Sequence, residues 1–222
     1  MKKLMILGLV VASVGAQATV LLDDFSSGAY SKTITGGTVT EFRLGSMIGG
    51  DSYVTTSINS NPIGLEIQSD ILNGYWSASS QPLVDGYSEM GYGFTAGAGG
   101  SLVFDDLNLN LSGENQFKFN FESSDKPATL FVGVRSSSGA GTVNTISTAL
   151  PGDMINNPFM VTVDFADFSG VDFSDVDQIV VRLDTVESGD ITMSNFEAVP
   201  EPATMAILAL GGLAALRRRK KN

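Results

Sequence analysis

The residues in this chain whose types could do chemistry are aspartates and aromatics. Asp23, Asp24 and Asp190 fall beside the first and last strand-like runs. If those runs adjoin, the three carboxylates and nearby backbone carbonyls make an all-oxygen set of the kind that holds calcium. A structural calcium is the one cofactor the residues suggest, and no cofactor is required. A second acidic series, Asp164, Asp167, Asp172, Asp175, Asp177 and Asp184, reads as a wet strand face and turns. Asp172-x-x-Asp175-x-Asp177 is not an EF-hand loop, because it lacks the glycine at the sixth position and the glutamate at the twelfth. Tyr75, Trp76, Tyr87, Tyr92 and Phe94 crowd into residues 75–94. Sugar rings stack on such aromatic faces, and Asn73 and Asp85 lie near in sequence to bond hydroxyls. Tyr75, Trp76 and Tyr87 are therefore candidate ligand-binding residues; the competing reading makes Trp76 a core residue.

Other chemistries are excluded or weak. Cysteine and histidine are both absent. That removes disulfides, thiolate nucleophiles, Cys/His zinc sites and Ser-His-Asp triads. Glu41, Glu66, Glu89, Glu114, Glu122 and Glu187 could in principle supply a glycosidase pair, but none has a context that marks an acid or a nucleophile. No catalytic residue is assigned, and the chain is expected not to be an enzyme. Gly97-Ala98-Gly99-Gly100 has no following lysine and is not a phosphate loop.

Charge separates the body from its ends. Between Thr19 and Val199 the only basic residues are Lys32, Arg43, Lys118, Lys126, Arg135 and Arg182, while all but one of the 24 acidic residues lie there. Such a body repels phosphate backbones, so nucleic acid is not an expected partner. Residues 1–18 place Lys2 and Lys3 before a short apolar run and end in Ala16-Gln17-Ala18. This is a signal peptide pattern, with Sec translocase and signal peptidase as expected partners and Thr19 as the expected mature start. Residues 199–222 form a three-part tail: Pro200-Glu201-Pro202, an uncharged run from Ala203 through Leu208 and Leu210 to Leu216, and a basic end beginning Arg217-Arg218-Arg219. The prolines make an extended spacer. As a helix the apolar run reaches only ~21 Å, short of a ~30 Å hydrocarbon core. The basic end would hold it on the cytoplasmic side.

At these residues the chain resembles the PEP-CTERM sorting domain of Gram-negative bacteria that make extracellular polysaccharide. The resemblance implies recognition and cleavage near Pro200-Glu201-Pro202 by an exosortase-like membrane protease. It implies transient inner-membrane anchoring and then a place at the cell surface or outside. The expected role is that of a non-enzymatic protein associated with exopolysaccharide or biofilm. It covers only the tail and implies a route rather than an activity.

The body from 19 to 198 reads as one all-β domain. Phe117, Phe119 and Phe121 alternate with polar residues, as do Leu107, Leu109 and Leu111, and Val161, Val163 and Phe165. Ile179, Val181 and Leu183 face away from Val180, Arg182 and Asp184, and Leu130, Val132 and Val134 offer another apolar face. Period-two runs with one wet face predict antiparallel sheets. Turn signals such as Asn73-Gly74 and Asp85-Gly86 separate them. The expected fold is an antiparallel two-sheet sandwich, jelly-roll-like, flanked by an N-terminal signal helix and a short C-terminal transmembrane helix. The opening Val20-Leu21-Leu22-Asp23-Asp24-Phe25 and the closing Gly189–Phe196 resemble galactose-binding-like and carbohydrate-binding jelly rolls, whose first and last strands often meet. That resemblance implies a calcium-stabilised carbohydrate-binding module as the alternative role. A secreted glycoside hydrolase is the weaker alternative.

Overall fold

The computed structural model describes residues 19–136 and 143–200. The expected signal helix and the helix of the sorting tail lie outside the described residues. Among the described residues, no helix is long and apolar enough to cross a membrane.

Strands follow one another along the chain. The first six are β1 (Val20–Asp23), β2 (Tyr30–Ile34), β3 (Thr38–Leu44), β4 (Asp51–Ser60), β5 (Ile67–Leu72) and β6 (Tyr75–Ser80). Next come β7 (Asp85–Tyr92), β8 (Phe94–Ala96), β9 (Leu102–Phe104), β10 (Gln116–Ser124) and β11 (Ala128–Arg135). The last are β12 (Asn144–Leu150), β13 (Phe159–Asp164), β14 (Gln178–Thr185) and β15 (Asp190–Val199). Helix is confined to two single 3-10 turns among these residues, Ala98–Gly100 and Phe165–Asp167.

Two antiparallel sheets form a sandwich, as the period-two alternation predicts. The first has the order β13-β10-β15-β6-β5-β2, with β1 also paired to β15. The second has the order β12-β11-β14-β7-β4-β3, and β8 and β9 form a separate hairpin. The inner faces supply the core. Phe117, Phe119 and Phe121 of β10 are buried with Trp76, Leu130, Val132, Val134, Ile179, Val181, Leu183 and Phe196. Phe119 stacks on Phe196 at 4.7 Å between ring centroids. Asn73-Gly74 closes the β5–β6 hairpin with φ of 55° and 82°, the double positive-φ turn that glycine and asparagine tolerate.

One expected strand is absent. Leu107, Leu109 and Leu111 do turn the same way, but they make only an isolated bridge, Leu109 to Val176. Asn108 stands at φ 47°, which breaks the extended run. Phe165 is likewise buried, but in the turn after β13 and not in a strand.

Candidate functional site

The residues that sequence reasoning singled out are placed apart. Trp76 sits on the inner face of β6, 1% exposed, edge-on to Phe25 and donating its indole N–H to Ser88 Oγ at 3.0 Å. Its ring has no face for a ligand. Tyr75, the preceding residue, points outward from the first sheet, and Tyr87 points outward from the second. The three therefore do not form one surface.

The aspartates diverge as well. β1 does pair with β15, but only with its end: Val20 opposes Ala198 and Asp23 opposes Phe196. Asp190 opens the same strand six residues earlier, about 20 Å away at the rise of an extended chain. Asp23 is buried, and its carboxylate pairs with the Arg43 guanidinium. It also accepts from Phe25 N–H at 2.8 Å and from Tyr92 Oη–H at 2.9 Å. Burial pushes the Asp23 carboxyl above its ordinary range, against the pull of Arg43 and these donors. Arg43 reaches on to Ser52 Oγ at 2.7 Å and the Ser27 carbonyl at 3.1 Å. Asp24 caps its own turn by accepting from Ser26 Oγ and N–H, which lowers its pKa. Asp190 accepts from Ser79 Oγ.

A different acidic group does converge. Asp106, Asp175 and Asp177 bring carboxylate oxygens within 4.8 Å of one another, and the three could hold a metal ion. The segments are held together by hydrogen bonds from Leu107 N–H to the Asp177 carbonyl and from Val176 N–H to the Leu109 carbonyl. Burial raises the pKa of Asp51, and the charge of Asp105 adds to the effect.

The most developed surface is the outer face of the second sheet. Strand register lays its side chains out in rows. Tyr53, Gly91, Val180, Gly133 and Thr145 make one row across β4, β7, β14, β11 and β12. The next row is Thr55, Glu89, Arg182, Phe131 and Ser147, and the third begins Ser57, Tyr87, Asp184 and Thr129. The Arg182 guanidinium lies 4.6 Å from the Tyr87 ring centre and 4.4 Å from that of Phe131. Its Nη2 donates to Asp184 Oδ2 at 2.8 Å. Desolvation raises the Asp184 pKa, with Arg182 pulling the other way. Tyr53 donates its hydroxyl to Glu89 Oε1 at 2.7 Å, and burial pushes the phenol far above its ordinary pKa.

Two glycines shape this face. A Cβ at Gly91 would run into the Tyr53 ring, and one at Gly133 would meet Val143 at 2.6 Å. The hairpin of β8 and β9 forms a wall, with Phe94 edge-on to Tyr53 at 5.0 Å and Phe104 at 5.5 Å from Phe94. The result is a pocket of about 360 Å³ lined by Tyr53, Glu89, Phe94, Phe104, Phe131 and Arg182, among others. Cross-strand hydroxyl pairs, Thr40 with Thr55 at 2.8 Å and Thr38 with Ser57 at 2.7 Å, extend the polar part of the face.

Of the three ligand-binding candidates, Tyr75, Trp76 and Tyr87, only Tyr87 belongs to this face, where it is joined by Glu89, Phe94 and Asp184. Phe131 and Arg182, which no local motif marked, lie at the centre of this face, yet both carried a signal. They are large side chains on the wet side of strands whose other side, Leu130 and Val132 or Val181 and Leu183, is apolar.

Against known proteins, the model of the PEP-CTERM protein-sorting motif matches residues 198–220. The chain thus carries a signal for export and membrane-associated sorting in Gram-negative bacteria. No curated protein matches it. Among solved structures, it is similar to the family 11 carbohydrate-binding module of a cellulosomal cellulase of Clostridium thermocellum. The two are 14% identical, the match covers 83% of this chain and 96% of that one, and the TM-score is 0.44. The same family's module from Clostridium thermocellum in complex with a β-1,3-1,4-mixed-linked tetrasaccharide is 15% identical, with 82% and 95% coverage and a TM-score of 0.42. A carbohydrate-binding module specific for non-crystalline cellulose, CBM28, is 10% identical, with 83% and 97% coverage and a TM-score of 0.42.

Proposed function

We propose that this chain is an exported, non-enzymatic carbohydrate-binding sandwich. It crosses the inner membrane by the Sec route, is held by its tail, is released near Pro200-Glu201-Pro202, and acts in the exopolysaccharide or biofilm outside the cell. The binding surface of the proposal is the outer face of the second sheet. The observation that carries it is Arg182 lying between the half-exposed rings of Tyr87 and Phe131 beside an aromatic-walled pocket. Aromatic rings offer apolar faces to the C–H patches of a sugar, while Arg182, Glu89 and Asp184 are spaced to bond its hydroxyls. The overall acidity of the chain favours a neutral glycan over an anionic one.

The test is binding of the exported protein to a glycan array and to the producing cell's own polysaccharide. Phe131→Ala and Tyr87→Ala are each expected to weaken binding about tenfold, or about 1.4 kcal/mol. Unchanged binding in both would remove this face from the reading.

Calcium enters as a second element of the proposal, supported by the convergence of Asp106, Asp175 and Asp177. Carboxylates are hard oxygen donors suited to that ion. Calcium is expected to raise the melting temperature, since a ligand held only by the folded state stabilises it. Asp177→Asn should abolish that rise. A melt indifferent to both calcium and a chelator would discard the idea.

A further inference from the structure

The sorting signal and the folded body share residues. The motif match opens at Ala198, yet Ala198 and Val199 are the last residues of β15 and are buried. Ala198 is held from both sides, and Val199 from the β10 side. Val20 of β1 opposes Ala198, and on the other flank Phe117 and Gln116 of β10 oppose Ala198 and Val199. Asn115 N–H donates to the Val199 carbonyl at 3.0 Å. Pro200 then ends the ladder, because proline has no N–H to give it.

The pairing of β1 with the end of β15 also puts the two chain ends of the body at one pole. Thr19 precedes Val20, and Pro200 follows Val199, so both emerge beside the loop that ends at Asn115. A cleft of about 440 Å³ opens at the same pole, lined by Leu111, Glu114, Asn115, Asp164 and Phe165, among others. Only Pro200, Glu201 and Pro202 separate the sheet from the apolar run that starts at Ala203. Three residues span at most about 10 Å. A body tethered through that run has no slack to turn away from the membrane surface. Cleavage inside a segment paired on both sides would require β15 to peel out of the middle of its sheet, a local unfolding that exposes core residues.

We propose that the tail is cut from the folded body, at a bond C-terminal to Val199, with the pole that carries both chain ends turned to the membrane and its processing protease. This rests on the sorting reading above and adds that the body is cut while folded, that the end of β15 bounds the cut upstream, and which surface faces the enzyme. The fold sets the upstream limit of processing, and the sheet survives the cut whole.

The experiment uses the full-length precursor in a cell that exports and processes it. The mass of the released protein is expected to include Val199. Release of a product ending before Val199 would overturn the proposal. The chain has no cysteine, so Val20→Cys with Ala198→Cys places a single disulfide across directly opposed positions and clamps the end of β15. The clamped precursor is expected to be processed as fully as each single-cysteine control. Accumulation of the uncut clamped form alone would show that the strand must open and would overturn the proposal. Orientation is read with a bulky maleimide on an unprocessed, membrane-held form. Ser112→Cys at the tail pole should be shielded, while Glu187→Cys at the opposite pole should react. Equal reaction would overturn the facing claim. An intact tail in every protein, wild type included, would instead overturn the sorting reading itself.

Discussion

Asp23 shows how a residue type that could bind a ligand is used to hold the fold. Its carboxylate is shared among Arg43, Tyr92 and the Phe25 amide, all buried. Removing one partner of such a pair leaves a buried charge without compensation and costs about 3–5 kcal/mol. Asp23→Ala is therefore expected to lower unfolding free energy by that order, read from denaturant melts. Asp23→Ala combined with Arg43→Met should be milder than the single change, because no charge is stranded. A double variant as unstable as the sum of its parts would contradict the network. Trp76→Ala should also cost about 3–5 kcal/mol, as truncations of buried aromatics do. Its effect on glycan binding should track the loss of fold alone.

At the scale of elements, alternation made the inner faces readable. Phe117, Phe119 and Phe121, or Ile179, Val181 and Leu183, could point only one way once the period was two. The proposed binding face was harder to read, because it depends on which strands become neighbours. Tyr87, Arg182 and Phe131 are far apart in sequence and meet through the pairing of β7, β14 and β11. Nothing local announces that pairing. The Asp23–Asp190 pairing fails at the same point: β1 and β15 do adjoin, but the register offsets the two aspartates along β15. The run at Leu107 misled for another reason, since side-chain alternation survives in an irregular segment fixed by a single bridge. The glycines of the outer face are a register effect too. Gly91→Ala is expected to displace the buried Tyr53 ring from its place beside Phe94, to cost about 1–3 kcal/mol of stability as overpacking does, and to weaken glycan binding in the protein that remains folded. An unchanged pocket in a structure of that variant would contradict the packing account.

For the whole molecule, burial ties stability to alkaline pH. Tyr30, Tyr53 and Tyr92 all have phenols raised above their ordinary pKa, chiefly by desolvation. The native state keeps those protons where the unfolded chain would lose them. The contribution is thus fully present below the ordinary phenol pKa of about 10 and is lost as pH climbs past it. Melting temperature should fall steeply above that pH, with tyrosinate absorbance appearing together with unfolding. Ionisation of these tyrosines in a still-folded protein would contradict their burial. On the proposed function, the tail-proximal pole, the acidic body and the patterned outer sheet divide the work of one exported molecule: sorting at one end, solubility around the surface, recognition on one face.

That division is tested most directly by titrating the exported protein with its own cell's extracellular polysaccharide, beside a Tyr87→Ala/Phe131→Ala variant shown by its melting temperature to be folded. The expected result is saturable binding by the wild type that the folded variant loses. Binding of equal strength by both proteins, or by neither, would contradict the assignment.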